Sequence, residues 1–337
     1  MATSTRLTLG EAEALVVAAL SGAGASMDQA EPTAAALLLA EADGQSGHGL
    51  SRVPSYAVQL ASRKVVGEAV PRLEVIRDGL VRVDADHGFA YPAFELALPE
   101  VEARARRLGI AAAAVHRSHH FGVAGHPCER LAERGLVAFV WGNAPKAMAP
   151  WGAKTAILGT NPIAFAAPMA DAPLVIDMAL TTVARGKILA ARETGDAIPE
   201  GWALGPDGSP TTDPAVALQG TMAPAGGAKG AALALMVEVM SACLAGAALG
   251  AVAPSLFDAE GGPPDLGQVI LAIDPEPASG GAFSERMAAL VELFGAAEGA
   301  RLPGTRRLEA RQRARAEGLQ VKPKLLAEIE RLAGQGA

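Results

Sequence analysis

The chain has 337 residues, half of them hydrophobic and 19% charged, with a formal net charge of -7 at pH 7. That is too apolar for a disordered chain, long enough for one large or two ordinary domains, and of the wrong sign to attract nucleic acid or an anionic membrane. Aromatic residues at 4% leave few stacking platforms for single strands, and Cys128 and Cys243 are too few for a disulfide framework or a four-thiolate zinc site.

The N-terminal stretch is polar and then amphipathic, with no basic segment leading into an apolar one, so a soluble, cytoplasmic protein is expected. Thr8 and Glu11 stand at capping-box spacing ahead of an Ala/Leu/Val run that Gly22 and Gly24 should end. Ser26 and Gln29 repeat the signal. Pro32 falls near the start of a second helix, TAAALLLAEAD, which should stop at the glycine-rich loop 43–49 (DGQSGHG). A third helix is expected over SYAVQLASRK. The period then changes: LEVIRDGLVRVDAD alternates apolar and polar residues about Asp78-Gly79, a strong hairpin signal.

A helix around 91–107 follows, then a buried strand (IAAAAVHR), a loop (SHHFG), a helix (CERLAERG) and a strand (LVAFVWGN). IAFAAPM and PLVIDMA read as a strand pair about Ala170-Asp171, and VARGKILAARE as a helix. Residues 195–225, rich in Gly, Pro, Thr and Asp, read as a long ordered loop. A helix from Gly227 to about Gly250, a late strand (QVILAIDPE) and a polar helical tail follow. The uncharged segment 239–257 is nearly long enough to span a bilayer, but its Ala/Gly composition and Pro254 mark it as a packed internal helix. Because strands alternate with helices only in part, an α+β fold with a mixed sheet is favoured over a doubly wound one. No G-x-G-x-x-G follows a strand, and there is no P-loop and no nucleophile elbow.

Four of the six histidines, His116, His119, His120 and His126, crowd into VHRSHHFGVAGH. A metal site is one reading, yet the run crosses a strand end and a loop, and no carboxylate falls between Leu108 and Glu129. Backbone N–H groups beside Gly122 and Gly125, ahead of the next helix, would meet an anion more naturally. His48 lies between Gly47 and Gly49, with Arg52 one helical turn on. Histidine can donate a proton near neutral pH, and arginine can grip a carboxylate through two parallel hydrogen bonds. Taken alone, the motif still reads first as a surface loop with a capping histidine. Asp177, ending an apolar strand, either holds a ribose diol or caps the following segment. Lys229, between Gly227 and Gly230, contacts phosphate or ribose, or simply faces solvent. Glycine, at about 11% against a usual 7%, brackets His48, follows His120, precedes Asn161 and surrounds Lys229.

Taken in order, GHGLSRVPSY, HHFGVAGH, NAPKAMAPWG, LGTNPIAFAAP, DMALTTVARGKI, IPEGWAL, PTTDP, GGAKGAALALMVE, AIDP and RLPG resemble the type-2 malate/L-lactate dehydrogenase family over residues 8–310. That family also holds sulfolactate, ureidoglycolate and diketogulonate enzymes and cyclic-imine reductases. The resemblance implies a homodimeric oxidoreductase without a Rossmann fold. A helical substrate and dimerisation domain would comprise 1–75 and 290–337, and a largely antiparallel NAD(P)-binding domain 76–289. Carried over by position, His48 would be the general acid and base, Arg52 would hold the substrate carboxylate, and Thr160 would touch the substrate. Arg185 and Gly186 would lie at the substrate edge. NAD(H) or NADP(H) would be lined by His120, Phe121, Gly122, Val123, Ala124, Asp177, Met178, Ala179, Lys229, Arg301, Pro303 and Gly304, with no metal.

The implied reaction is hydride transfer to C2 of a small 2-oxo acid of malate, lactate or sulfolactate type. Reduction of a cyclic imine, Δ1-pyrroline- or Δ1-piperideine-2-carboxylate, is the alternative, and a catalytically silent binding protein a third. The chain also departs from its relatives. Gly47 and Lys187 stand where the imine reductases carry a serine and an aspartate that relay charge to the histidine. His119 replaces a common asparagine, and Thr305 a usual glutamate. Lys146 is a cation where many relatives are neutral, and either binds a second acidic group of the substrate or faces solvent.

Overall fold

The computed structural model describes residues 5–334. A short strand, β1 (Thr5–Leu7), leads into helix α1 (Leu9–Gly22), whose start is set by the expected capping box. Thr8 Oγ1 accepts from the Glu11 amide at 3.2 Å, and the Glu11 carboxylate accepts from the Thr8 amide at 2.8 Å. Helix α2 runs from Met27 to Ala42, so Pro32 lies inside it. The second capping box does not form: the Ser26 side chain caps nothing, and Gln29 is buried. Its amide donates to Ala69 O at 2.8 Å and accepts from Phe89 N at 2.9 Å, tying α2 to a distant part of the chain. The expected loop 43–49 contains a 3-10 turn at Ser46–His48, and a second at Leu50–Arg52 runs into α3 (Val53–Ala61).

The hairpin at Asp78-Gly79 joins β2 (Arg72–Arg77) to β3 (Leu80–Asp84). Helix α4 (Ala90–Leu108) ends on Gly109, whose φ of 85° is the left-handed cap that glycine adopts freely. There follow β4 (Ile110–Ser118), α5 (Gly125–Glu133), β5 (Val137–Gly142), β6 (Ile163–Ala167), β7 (Leu174–Met178) and α6 (Arg185–Thr194). The stretch 195–225 is more than a loop. It holds β8 (Ala203–Leu204), β9 (Pro210–Thr211), α7 (Pro214–Gln219) and β10 (Thr221–Met222), with the strands in one small sheet. Two-residue strands are too short to show a period.

Helix α8 (Ala228–Glu238) passes into a π-helical turn at Val239–Leu244, and the chain then turns at Ala245-Gly246 instead of continuing to Gly250. The expected internal helix over 239–257 is therefore replaced past that point by irregular backbone. Next come β11 (Leu266–Ile273), α9 (Pro275–Ser279), α10 (Phe283–Ala296) and α11 (Thr305–Glu317). The tail is not wholly helical: β12 (Leu319–Val321) pairs antiparallel with β1 before α12 (Pro323–Ala333).

The main sheet has the order β2-β3-β4-β11-β5-β6-β7. β3 and β4 run parallel and the other neighbours antiparallel, so the fold is α+β with a mixed, largely antiparallel sheet. Period-two alternation sends Ala111, Ala113 and Val115 of β4 into a core with Phe94 and Val101 of α4 and Leu131 of α5. Ala114, between them, faces Val269 and Ala245 on the other side. A second core joins both chain ends: Val16, Leu20, Leu37 and Tyr56 pack with Leu319, Leu326 and Ile329. Among the described residues no helix is long and apolar enough to cross a membrane.

Candidate active site

A cavity of about 1110 Å³ opens where the turn after α2, the β4–α5 loop, the segment 144–162, the end of β7 and the start of α6 converge. His48 and Arg52 stand on one wall because their two 3-10 turns are pinned to α2. The Glu41 carboxylate accepts from Leu50 N at 2.9 Å, and a Cβ at Gly49 would collide with that carboxylate. Arg52 Nε donates to Gly47 O at 2.7 Å, which fixes the guanidinium beside His48.

His120, just past β4, stacks on His48 with centroids 5.3 Å apart. Its Nδ1 lies 2.6 Å from Tyr56 Oη, which is 3.4 Å from Tyr91 Oη. The backbone passes Tyr91 at Gly122, where φ is 70° and a Cβ would fall 2.6 Å from the hydroxyl, so glycine is required. Burial, with the Arg52 charge next, pushes the His48 imidazole down to about 4 and His120 well below the usual range. The His119 ring is buried edge-on to Tyr56 and Phe89, and neither of its nitrogens has a hydrogen-bond partner among the described residues. Burial pushes it down to about 3.

Asp177 corrects two expectations. Its Oδ2 accepts from Gly125 N at 2.9 Å, so it caps α5 across space, not the segment that follows it in sequence. The start of α5, expected to receive an anion, thus already holds a carboxylate. Burial raises the Asp177 pKa, and the side chain lines the cavity.

The cavity wall also brings together His48, Arg52, His120, Gly122, Val123, Ala124, Lys146, Thr160, Ala179, Arg185 and Gly186. Thr160 is placed by its neighbour Asn161, whose amide donates to buried Glu238 at 2.8 Å and to Ala234 O at 2.9 Å. Other expected residues stand apart. Phe121 turns into the core against Phe94, with centroids 6.1 Å apart. Met178, Lys229, Arg301 and Pro303 are exposed outside this cavity, and Gly304 rests against the Val175 backbone. Conversely, Lys154, Lys187 and Ser255 to Phe257 line the cavity without having been singled out as ligands. Lys187 lies in the motif DMALTTVARGKI, where the sequence marks it only as a departure; no motif marks Lys154 or Ser255 to Phe257, which reach the cavity by the approach of separate loops. Among the described residues no group of three or more His, Cys, Asp or Glu could hold a metal ion.

The wall is strongly cationic. Arg52, Lys146, Lys154, Arg185 and Lys187 face it, against Asp177 alone among the described acids, in a chain whose net charge is -7. Behind it, Asp43 at the end of α2 joins His126 and Glu129 of α5 to Arg307 and Arg311 of α11. Arg311 Nε lies 2.6 Å from Asp43, and its Nη2 2.8 Å from both Asp43 and Glu129. Arg307 grips Glu129 through two bonds of 2.6 and 2.9 Å. This buried cluster fixes the turn bearing His48 against the sheet.

A family model for malate/L-lactate dehydrogenase matches residues 7–330. The chain is 50% identical to a (2R)-3-sulfolactate dehydrogenase (NADP(+)) of Chromohalobacter salexigens, over 97% of both chains. It is 40% identical to a Δ1-pyrroline-2-carboxylate reductase of Ancylobacter novellus, over 98% of both. Among solved structures, Δ1-piperideine-2-carboxylate reductase from Pseudomonas syringae superposes with a TM-score of 0.91 at 35% identity, over 98% of this chain and 100% of the other. Sulfolactate dehydrogenase from Methanocaldococcus jannaschii gives 0.90 at 30% identity, over 98% and 97%.

Proposed function

The chain belongs to the malate/L-lactate dehydrogenase family, and from that premise we propose that it is an NADP(H)-dependent oxidoreductase interconverting 3-sulfopyruvate, or a similar 2-oxo acid with a second acidic group, and its 2-hydroxy acid. The observation that carries this reading is the cationic wall around His48. Five cations focus a positive potential onto a cavity in an acidic protein, which suits a dianionic substrate beside a phosphate-bearing cofactor.

A dinucleotide fits the residues present. The cavity of about 1110 Å³ exceeds what a small acid needs. Gly122 offers bare backbone beside His120, and Asp177 keeps a carboxylate oxygen for a ribose diol. His120, Gly122, Val123, Ala124, Asp177 and Ala179 would hold the cofactor, with Lys154 available to its phosphates. When bound, it supplies or accepts the hydride at substrate C2. Arg52 grips the C1 carboxylate and so presents C2; Lys146, Arg185 and Lys187 meet the second acid group. As the C2 oxygen gains negative charge, His48 gives it a proton; in the oxidation His48 takes that proton back.

Reduction of Δ1-pyrroline-2-carboxylate is the second reading, supported by the relatives at 40% identity. Against it, Gly47 and Lys187 stand on the wall where the resemblance to the imine reductases implies a charge-relaying serine and aspartate. A cytoplasmic location accords with two free cysteines. We also place the chain in a homodimer. The α8 face and the turn after it expose Leu233, Leu235, Met236, Val239 and Leu244, an apolar stripe that suits a subunit contact. In this reading residues 1–75 with 290–337 form the substrate and dimerisation unit and 76–289 the cofactor unit. Lys229, Arg301 and Pro303 remain cofactor contacts only if assembly brings them to a cleft.

The test follows NADPH and NADH oxidation with sulfopyruvate, oxaloacetate, pyruvate and Δ1-pyrroline-2-carboxylate. Sulfopyruvate with NADPH is expected to give the highest kcat/KM. Turnover of the imine alone sinks the reading, and full activity of His48→Ala sinks the mechanism.

A further inference from the structure

The segment from Ser255 to Glu260 belongs to no helix, strand or motif, yet it carries an aromatic ring to the cavity wall between two cations. The Arg52 guanidinium carbon lies 5.5 Å from the Phe257 ring centroid, and that of Arg185 lies 5.6 Å from the same centroid. The arginines come from different elements, the turn before α3 and the first residue of α6. Among the described residues neither has a carboxylate partner within ion-pair distance. The ring is 51% exposed, so core packing does not account for it.

What holds Phe257 there is specific. Gln59 of α3 donates to Leu256 O at 2.9 Å and to Asp258 O at 3.2 Å, gripping the residues on either side. Lys64, fully buried just beyond α3, donates to the Asp258 carboxylate at 2.9 Å and to the carbonyls of Asp258 and Glu260. A buried ammonium satisfied by a loop of this kind is a costly anchor to keep. The far end of the same short helix begins beside Arg52. One rigid element therefore fixes both the cation and the ring it faces.

Two like charges lining one cavity repel; Arg52 is tethered at one donor by Gly47 O, and Arg185 has no such tether among the described residues. An aromatic face attracts both and, with Arg52 Nε–H already held by Gly47 O, leaves the in-plane Nη–H donors of each guanidinium facing an acid group. We propose that Phe257 is a positioning residue that holds Arg52 and Arg185 as a matched pair for the two acid groups of one dianionic substrate. The proposal rests on the reading of Arg52 as the carboxylate ligand.

Phe257→Leu keeps the apolar bulk and removes the π face; Phe257→Tyr keeps both. With the NADP+-loaded enzyme, calorimetry should show F257L binding 3-sulfolactate about tenfold more weakly, and F257Y within about threefold of the parent. KM for sulfopyruvate should rise in parallel, while the NADPH KM and saturating kcat change less than about twofold. Combined with Arg185→Ala, the loss should be clearly less than multiplicative. Should F257L fold poorly, as judged by its thermal midpoint, F257M takes its place. Unchanged affinity in the variant without a ring, strict multiplicativity with R185A, or an F257Y as weak as F257L overturns the proposal. A parent enzyme that reduces no 2-oxo acid sinks the functional reading instead; the 3-sulfolactate affinities then still decide the clamp, and no affinity in the parent overturns it as well.

Discussion

The imidazoles of His48 and His120 lie face to face, their planes inclined by only 12°, and Tyr56 fixes the second ring through its 2.6 Å contact with Nδ1. Two imidazolium ions at that separation would repel each other, and Arg52 adds a third positive charge. Burial, then the charges of Arg52 and His126, leave His48 neutral above about pH 4. A general acid must be protonated, so the proton has to arrive with the anionic substrate.

Binding of sulfopyruvate near neutral pH should therefore take up a proton, read by calorimetry in buffers of different ionisation enthalpy. His48→Gln should abolish that uptake and lower kcat by about 10²- to 10⁴-fold. Uptake that persists in the variant would assign the proton to another group.

Lys146 and Lys187 should discriminate by substrate charge. Either changed to alanine should reduce kcat/KM for sulfopyruvate and oxaloacetate about fivefold, as suits a partly solvated ion pair, and leave pyruvate within about twofold. The dianion preference should also weaken with added salt. Equal losses for all three acids would make the lysines cofactor contacts.

His119 should be a liability in acid. Its folded pKa, about 3, lies below the ordinary 6.5, so its contribution to stability is complete above about pH 6.5 and is lost as pH falls toward 3. His119→Asn, which cannot titrate, should flatten the urea midpoint against pH across that window. An unchanged slope would show that the ring is not buried neutral.

The Asp43, Glu129, Arg307 and Arg311 cluster has the other titration window. Both carboxylates are held below their ordinary values by the arginines, although burial by itself would raise them. Their stabilisation is present above the ordinary 3.8 and 4.5 and is lost as pH falls through the lowered folded values. Arg311→Met leaves buried carboxylate charge uncompensated and should cost about 3–5 kcal/mol in denaturant unfolding at neutral pH. That deficit should shrink as the solution is acidified. A loss under about 1 kcal/mol would mean that Arg307 alone satisfies both acids.

Much of the fold was legible in the chain because the deciding interactions are short in sequence. The Thr8–Glu11 capping box, the Asp78-Gly79 hairpin and the strand pair IAFAAPM and PLVIDMA about Ala170-Asp171 each involve neighbours close together in the chain. His48, Arg52, Thr160 and Arg185 were legible through ordered motifs, and the cavity gathers them. What failed was set by distant partners. Gln29 carries a capping signal but bonds to Ala69 and Phe89; β11 inserts between β4 and β5; β12 exists because β1 offers it an edge. Asp177 caps a helix that begins 52 residues before it.

Sequence alone determined the family and the reaction class, through motifs in a fixed order, and it offered His48 and Arg52 as the candidate acid and carboxylate clamp. Tertiary structure alone decided the polarity of the cavity, the stacked histidines and the seat of Phe257 between two arginines. Charge density and ring contacts depend on distances between loops far apart in the chain, and no local period encodes those distances.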